Sequence, residues 1–115
     1  MAFLTETWLS SRLDDSVFGL PDYNIIRKDR PSRGGGVSIL VHSAIGYCPI
    51  SLEPRLNTLE ICAVDIRLGS KKVRLVVCYC APNCTNEFFQ ESLECLSALS
   101  DQSTSLVICG DFNVP

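Results

Sequence analysis

Apolar residues alternate with polar ones, or cluster in short runs, along most of this chain, which is the pattern of β-strands. The runs are rich in Val, Ile and Leu and are bounded by Gly, Pro and polar residues, which commonly end strands. Residues 10–22 and 30–36 are rich in turn-forming residues and are predicted as loops, the first with at most a short helical turn. The pattern predicts seven strands, at residues 2–6, 23–29, 37–43, 47–51, 58–67, 72–80 and 105–110.

Two of these strands form the clearest hairpin signal in the sequence. Residues 58–67 and 72–80 are both rich in β-forming residues. They flank a short turn made by Gly69, Ser70 and Lys71. Two β-rich runs around such a turn predict an antiparallel hairpin.

The sequence also suggests where some strands lie in a sheet. Residues 47–51 are expected to pair beside residues 37–43, at an edge, because Pro49 has no N–H for a second neighbour. Residues 105–110 are predicted to form a buried strand. Residues 2–6 and 105–110 are both too apolar for an exposed edge, so each is expected to need neighbouring strands.

One segment, residues 85–100, has the periodicity of an amphipathic helix. Thr85 or Asn86 is a suitable N-cap, and Glu87 suits the first turn. The predicted apolar stripe comprises Phe89, Leu93, Leu96 and Ser100, flanked by Phe88, Cys95 and Leu99. Mostly strands, then one helix, then a final strand predict an α/β or α+β fold in which a sheet packs against a helix.

The composition is that of one small globular domain. The chain has 115 residues, of which 46% are hydrophobic and 20% charged. No apolar run approaches the length of about 18 residues that spans a membrane, and the first residues lack the features of a secretory signal. Several of the seven cysteines fall inside predicted strands, where buried thiols behave as small hydrophobic groups. We therefore expect an intracellular, nuclear or cytoplasmic location without a disulfide framework.

Three of the cysteines, Cys78, Cys80 and Cys84, have the spacing C-x-C-x₃-C. A structural zinc site needs four ligands, and the fourth would have to come from a distant part of the chain. This spacing is therefore only a weak indication of zinc.

The net charge of −3 disfavours nucleic-acid binding in general, because phosphates attract Lys and Arg. A local basic cluster can override the total, and residues 27–36 contain one. Its three glycines would let the backbone approach a phosphate closely. The alternative is a solvated, flexible loop. The basic residues of this cluster are Arg27, Lys28, Arg30 and Arg33.

Polar residues with chemical potential follow two of the predicted strands. Asp111 and Asn113 follow the last strand, where α/β sheets collect ligands, and Phe112 between them would anchor the turn in the core. Glu6 follows the first strand, and Trp8 could fix its backbone by packing. Together, Glu6 and Asp111 could bind a hard cation such as Mg²⁺, which prefers oxygen ligands. The alternatives are a simple turn at residues 111–113 and a solvated Glu6.

Tyr79 and His42 also carry groups that can take part in catalysis. Tyr79 ends a predicted strand, and its hydroxyl could reach a phosphate or a metal-bound water, or the ring could simply pack at the sheet margin. His42 is the only histidine and could act as a general base. Because nothing near it in the sequence supports that role, we expect it to be structural or on the surface.

Five segments, in order, resemble the endonuclease/exonuclease/phosphatase superfamily: LTETWL, RKDRPSRGGGVSILV, LEICAVDI, VVCYCAPN and VICGDFNVP. The chain is most similar to the endonuclease domain of LINE-type (non-LTR) retrotransposons, which precedes a reverse transcriptase. The resemblance covers essentially the whole chain. It implies a four-layer αββα sandwich and cleavage of phosphodiester bonds in DNA with Mg²⁺ or Mn²⁺.

The resemblance also implies roles for individual residues. Glu6 corresponds to the family's metal-binding Glu, and Asp111 to the Asp of GDFN, which orients or activates the attacking water near the metal. Asn113 corresponds to an Asn that helps position the phosphate, and Tyr79 to a tyrosine at the rim of the active site. In this chain Cys80 follows the tyrosine, where the family pattern Tyr-Arg-Pro-Pro has a basic residue.

The family's domains also have a strand before this Glu and, beyond GDFN, a further Asp and a Ser-Asp-His motif. Residues 1–115 are therefore expected to be roughly the N-terminal half of the domain, inactive or only weakly active. His42 lies on the wrong strand to replace the missing histidine. The alternatives are a non-catalytic fragment of a degenerate retroelement and a phosphoesterase of the same superfamily that acts on inositol phosphates or sphingolipids. The implied partners are DNA and a reverse transcriptase domain in the parent polypeptide.

Overall fold

A computed structural model describes residues 1–18, 20–52 and 59–113, with only the backbone at residues 17 and 18. All seven predicted strands and the helix are confirmed, with ends that shift by a few residues; residue 58 of the fifth predicted strand lies outside the described residues. The short helical turn in the first loop is a 3-10 helix, Asp15–Phe18. The elements are β1 Ala2–Thr5, β2 Tyr23–Lys28, β3 Val37–His42, β4 Tyr47–Ile50, β5 Ile61–Leu68, β6 Lys71–Tyr79, α1 Asn86–Leu99 and β7 Ser105–Asp111.

The strands form two sheets. The first has the order β1-β3-β2 and is antiparallel throughout, and the second has the order β4-β5-β6-β7. The predicted hairpin is confirmed as the antiparallel pair of β5 and β6. In contrast, β6 and β7 run parallel, and α1 connects them, because a parallel pair needs a long crossover.

The prediction that residues 47–51 pair beside residues 37–43 is wrong. Strand β4 pairs with β5 instead, so it belongs to the second sheet, where it lies at the edge as Pro49 indicates. The turn after β3 carries the chain from one sheet to the other. A hydrogen bond from the Arg67 N–H to the carbonyl of Gly46, the residue before β4, continues the pairing with β5.

The two sheets pack face to face over one apolar core, and α1 covers the outer face of the second sheet. The alternation of β5 and β6 divides their buried residues between these two cores. The core between the sheets comprises Val37, Ile39, Val41, Cys62, Val64, Ile66, Leu75, Val77 and Tyr79. The core under the helix comprises Leu59, Ile61, Ala63, Val76, Cys78, Cys80, Cys95, Leu96 and Leu99. The predicted sheet layered against a helix is confirmed in the second sheet and α1, and the first sheet forms an additional layer.

The helix buries a somewhat different face from the predicted one. Thr85 is the N-cap and accepts a hydrogen bond from the backbone N–H of Phe88. Leu93, predicted for the apolar stripe, is exposed, and Ser92 is buried in its place. The Ser92 hydroxyl donates to the Phe88 carbonyl at 3.0 Å, so a polar side chain can be buried here without an unsatisfied group.

Arg74 ties the hairpin to the end of this helix. Its guanidinium forms two hydrogen bonds to Asp65, its register partner on β5, and a third to the Leu99 carbonyl at 2.8 Å. The hydrogen bonds from Arg74 are the main reason that the pKa of Asp65 lies below its ordinary value. A cation at a helix C-terminus is also favourable for the helix dipole.

The prediction that residues 105–110 form a buried strand is wrong. Strand β7 lies at the edge of the second sheet and is largely exposed, including Val107 and Ile108. Strand β1 is likewise an edge strand of the first sheet. Among the described residues, therefore, neither of these apolar strands has a neighbour on its outer side. None of the described helices is long and apolar enough to cross a membrane.

Candidate active site

Glu6 lies just beyond β1, at a point where the backbone leaves the regular strand. Its φ is +50°, in the left-handed region that side chains other than glycine rarely adopt. The two residues after Glu6 are tied to the glycine-rich loop. The N–H of Thr7 donates to the Gly36 carbonyl, and the N–H of Trp8 donates to the Gly35 carbonyl. This conformation leaves Glu6 exposed at the end of the first sheet. Strained residues held in this way are common at functional sites.

Tyr79 joins Glu6 to the second sheet. It is the last residue of β6, its ring is buried between the sheets, and its hydroxyl donates to Oε1 of Glu6 at 2.7 Å. This hydrogen bond is the main reason that the pKa of Tyr79 is raised to about 12, and burial contributes further. The bond fixes one carboxylate oxygen of Glu6 and does not use the other.

Asp111 lies beside Tyr79 at the end of β7. The two residues are register partners in the parallel pair, and the Cys80 N–H donates to the Asp111 carbonyl at 2.9 Å. The Asp111 side chain is exposed. Because β1 also contacts β6 and β7, the ends of these three strands bring Glu6, Tyr79 and Asp111 to one end of the sandwich.

Asn113 adopts a left-handed conformation with φ of +43°. Its Nδ2 donates to the Cys80 carbonyl at 2.9 Å, and its backbone N–H donates to Oδ1 of Asp111 at 3.3 Å. Phe112, predicted to anchor this turn, packs against the core under the helix. The hydrogen bonds of Asn113 and the packing of Phe112 therefore hold the turn that follows Asp111 in place.

A partly buried ion pair, Arg30 with Glu60, lies on the other side of Tyr79. Arg30 donates to both oxygens of Glu60, at 3.1 and 2.7 Å, and these hydrogen bonds to the carboxylate are the main reason that the pKa of Arg30 is raised. The Gly36 N–H also donates to Oε1 of Glu60, at 2.7 Å. The guanidinium carbon of Arg30 lies 5.8 Å from the centre of the Tyr79 ring, and the Tyr79 N–H donates to the Glu60 carbonyl.

Glu60 was not singled out from the sequence, although a signal was present. It is a charged residue in the segment LEICAVDI, in which all the other residues except Asp65 are apolar. A carboxylate buried in such a run needs a cationic partner, because an unpaired buried charge is strongly unfavourable. The sequence could not identify Arg30 as that partner, since 30 positions separate the two residues.

The glycines of the basic loop allow the close contacts around this ion pair. Gly34, Gly35 and Gly36 all have positive φ, at +87°, +63° and +88°. A Cβ at Gly35 would collide with Oε1 of Glu60 and with the Arg30 guanidinium. The backbone at Gly35 thus lies close to the Arg30–Glu60 pair. A close approach of this backbone to a phosphate stays a prediction.

The other basic residues of this loop differ in their surroundings. Arg27 forms ion pairs with Asp15 and Asp29, at 3.3 and 3.4 Å, and also donates to the Leu13 carbonyl. Arg33 lies on the surface, with its guanidinium carbon 5.5 Å from the centre of the Trp8 ring. The contacts of Arg27, Arg30 and Arg33 with nucleic acid stay predictions.

His42 lies far from these residues. It ends β3, whereas the first residue of β3, Val37, lies beside the end of β1. Five residues of extended chain separate the two ends, a distance of about 17 Å. His42 packs edge to face against Tyr23, and its Nδ1 accepts a hydrogen bond from the Ala44 N–H. This placement agrees with the structural role expected for it.

The donors at this end of the sandwich suit magnesium only in part. Within the described residues, no group of three or more His, Cys, Asp or Glu side chains is arranged to hold a metal ion. Magnesium, however, is commonly bound by one or two carboxylates, with water and substrate phosphate completing its coordination. The exposed carboxylates of Glu6 and Asp111 fit that arrangement.

Two packed sheets with a helix on one outer face define a layered α/β sandwich. The chain belongs to the endonuclease/exonuclease/phosphatase family, whose sequence profile matches residues 1–115. This confirms the membership predicted from the sequence. The comparison with curated proteins finds no significant match.

Two solved structures share this fold at low sequence identity. The endonuclease domain of TRAS1, a telomere-specific non-LTR retrotransposon, superimposes with a TM-score of 0.61 at 17% identity over 86% of this chain. TDP2 of D. rerio, solved with a single-strand DNA product, superimposes with a TM-score of 0.62 at 13% identity over 98% of this chain. The matches cover 45% and 47% of those two chains. The predicted partial αββα sandwich is thus confirmed, with two sheets and one helical layer in the described residues.

Proposed function

We propose that this chain is part of a magnesium-dependent endonuclease of the retrotransposon type, which hydrolyses phosphodiester bonds in DNA inside the cell. The observation that carries the proposal is the hydrogen bond from Tyr79 to Glu6, with Asp111 paired directly beside Tyr79. Both carboxylates are exposed at the carboxyl ends of strands, β1 in the first sheet and β7 in the second, and α/β sheets bind ligands at the carboxyl ends of their strands. A reverse transcriptase domain in the parent polypeptide is part of this proposal.

Each residue has a distinct task in the proposed reaction. Glu6, oriented by the Tyr79 hydroxyl, and Asp111 would hold Mg²⁺ or Mn²⁺, which neutralises charge on a phosphate when bound. The Asp111 carboxylate, which accepts a hydrogen bond from the backbone of residue 113, would also orient the attacking water. Asn113 holds its turn through the Cys80 carbonyl, so a contact with the phosphate requires its side chain to rotate away from that carbonyl.

Turnover by this chain alone is expected to be slow. A positioned acid or base contributes roughly 10²- to 10⁴-fold to such a reaction. The chain has one histidine, His42, and it lies at the opposite end of β3 from Glu6. Cleavage should therefore be measured with the protein in excess over DNA, so that a single event per plasmid is detected.

The test is nicking of supercoiled plasmid by the 115-residue chain in Mg²⁺ and in EDTA. Asp111→Asn and Glu6→Gln should each reduce the rate by roughly 10²-fold, because each removes one charge that stabilises the reaction. Glu94→Gln is the matched control, because Glu94 is an exposed carboxylate on α1. Nicking that persists in EDTA, or that is equal in all variants, would exclude these carboxylates from the reaction. A folded chain that never nicks DNA would support the non-catalytic alternative.

A further inference from the structure

Trp8 is held in an unusual position two residues beyond Glu6. It is the only tryptophan in the chain, and 57% of its surface is exposed. Its φ is +57°, which makes a bulky residue a clear conformational outlier. A hydrogen bond of 2.9 Å from its N–H to the Gly35 carbonyl holds the backbone in place. Strain that displays an aromatic ring to solvent points to a ligand contact, because folding alone gains little from it.

Arg33 and the backbone at Gly34 lie against the indole ring of Trp8. The Arg33 guanidinium carbon lies 5.5 Å from the ring centre, within the range of a cation–π contact. At Gly34, a Cβ atom would lie 3.7 Å from Cε2 and Cζ2 of the indole, so the loop backbone runs close to the ring. These contacts fix the orientation of the indole while most of it stays open to solvent.

The surroundings of this ring are basic, although the whole chain carries a net charge of −3. Trp8 lines a cleft of about 430 Å³ together with Arg12, Arg30 and Arg33. Among the described residues that line this cleft, none is acidic. Arg30 is neutralised by Glu60, so the positive charge comes from Arg12 and Arg33. The cleft is large enough for a small ligand, since such sites measure roughly 300–1,000 Å³.

An aromatic face beside arginines is the combination that binds single-stranded nucleic acid, in which bases stack and cations contact phosphates. We propose that Trp8 and Arg33 form a stacking platform for one unpaired base of a DNA strand, with Arg12 and Arg33 contacting the adjacent phosphates. Trp8 lies at most about 7 Å along the chain from Glu6, so the stacked base is close to the scissile phosphate. This inference rests on the proposed function and adds the strand contact that places DNA at the candidate site.

Binding can be measured in EDTA, without cleavage. The two ligands are an oligothymidylate and an abasic oligonucleotide of equal length, which carry the same phosphates. We expect the oligothymidylate to quench the fluorescence of Trp8, the only indole present, and the abasic strand to quench it far less. By anisotropy of labelled strands, the abasic strand should bind about 5- to 150-fold more weakly, the range expected for loss of one stacked base.

Variants separate stacking from charge. Trp8→Ala should weaken oligothymidylate binding by the same factor, whereas Trp8→Phe should retain most of the affinity. Tyr47→Ala is the matched control, because Tyr47 is an exposed aromatic residue on β4. Arg33→Gln should reduce the slope of log affinity against log salt by about 0.7, the value for one phosphate of a single strand.

Equal binding of the two strands, or an unchanged affinity of Trp8→Ala, would overturn the stacking platform. The result is separate from that of the proposed function, because binding is read without metal. Plasmid nicking that depends on Asp111, without stacking on Trp8, would overturn the platform alone. Stacking on Trp8 without any nicking would overturn the proposed hydrolysis alone.

Discussion

The Tyr79 hydroxyl donates a hydrogen bond of 2.7 Å to the Glu6 carboxylate and so joins two residues that are 73 positions apart in the chain. Glu6 follows the first strand of one sheet, and Tyr79 ends a strand of the other. The bond therefore connects the two sheets at the end where Asp111 also lies. A contact of this kind serves both the stability of the sandwich and the geometry of its candidate site.

The contribution of Tyr79 to the free energy of unfolding should decrease as the pH rises in the alkaline range. Its pKa is raised to about 12 in the folded protein, mainly by the hydrogen bond to Glu6. The stabilisation is therefore complete below the pKa of an unfolded tyrosine, about 10, and is lost as the pH rises through about 12. We expect Tyr79→Phe to show a shallower loss of stability than the wild type across this range, measured by urea unfolding.

The control for this measurement is Tyr47→Phe, because Tyr47 is exposed on β4. It should lose stability with pH as steeply as the wild type does. If the free energy of unfolding depends on pH equally in the wild type and in Tyr79→Phe, the hydrogen bond to Glu6 does not raise the pKa of Tyr79.

Removal of the charge at Arg30 and removal of the charge at Glu60 should lower the free energy of unfolding by different amounts. The Glu60 side chain is 8% exposed and that of Arg30 is 27% exposed. Arg30→Met leaves a buried carboxylate with the Gly36 N–H, so we expect it to lower the free energy of unfolding by about 3–5 kcal/mol. Glu60→Gln leaves a guanidinium that reaches water, and about 1–3 kcal/mol is expected. Urea unfolding measures both.

Arg67→Met is the control for this pair, because Arg67 is an exposed cation on β5. Its effect should lie within about 0.5 kcal/mol of zero. A larger cost for Glu60→Gln than for Arg30→Met would mean that solvent does not reach the guanidinium.

Two glycines with nearly the same backbone conformation provide a test of the loop packing. Gly35 has φ of +63° and Gly69 has φ of +64°, so an alanine at either position costs about 1–2 kcal/mol in conformational strain. At Gly69 a Cβ meets nothing within 4 Å, whereas at Gly35 it collides with the Arg30–Glu60 pair. Gly35→Ala should therefore destabilise the protein by about 3 kcal/mol more than Gly69→Ala in thermal or urea unfolding. Equal effects would contradict the close packing around Gly35.

The cysteines should differ sharply in reactivity. Burial raises the pKa of the Cys62 thiol to about 12 and also raises the pKa of the Cys78 thiol, whereas Cys48 is exposed. Because the thiolate is the reactive form, a thiol reagent near neutral pH should label Cys48 in the native protein and spare Cys62 and Cys78. Peptide mass spectrometry with and without urea measures the difference. Rapid native labelling of Cys62 would contradict the packing of the two sheets.

Much of the local structure could be predicted because it depends on neighbouring residues. Strand alternation, the turn at Gly69 and the N-cap at Thr85 are short-range signals, and the structure confirms the elements that they indicate. The polar residues after the first and last strands were also recognisable from their position alone. The pairing of strands is less predictable from the sequence. The partner predicted for β4 is wrong, because the apolar pattern does not indicate which of the two sheets a strand joins.

The seven strands, the helix and the family resemblance follow from the amino-acid sequence alone. So do the candidate residues Glu6, Tyr79, Asp111 and Asn113. The contact of Glu6 with Tyr79, the pairing of Arg30 with Glu60 and the exposed edge position of β7 become visible in the folded chain. The two groups of features differ in the sequence separation over which the underlying interactions act. Backbone propensity and periodicity act between residues a few positions apart, whereas these contacts depend on how two sheets meet across a buried core.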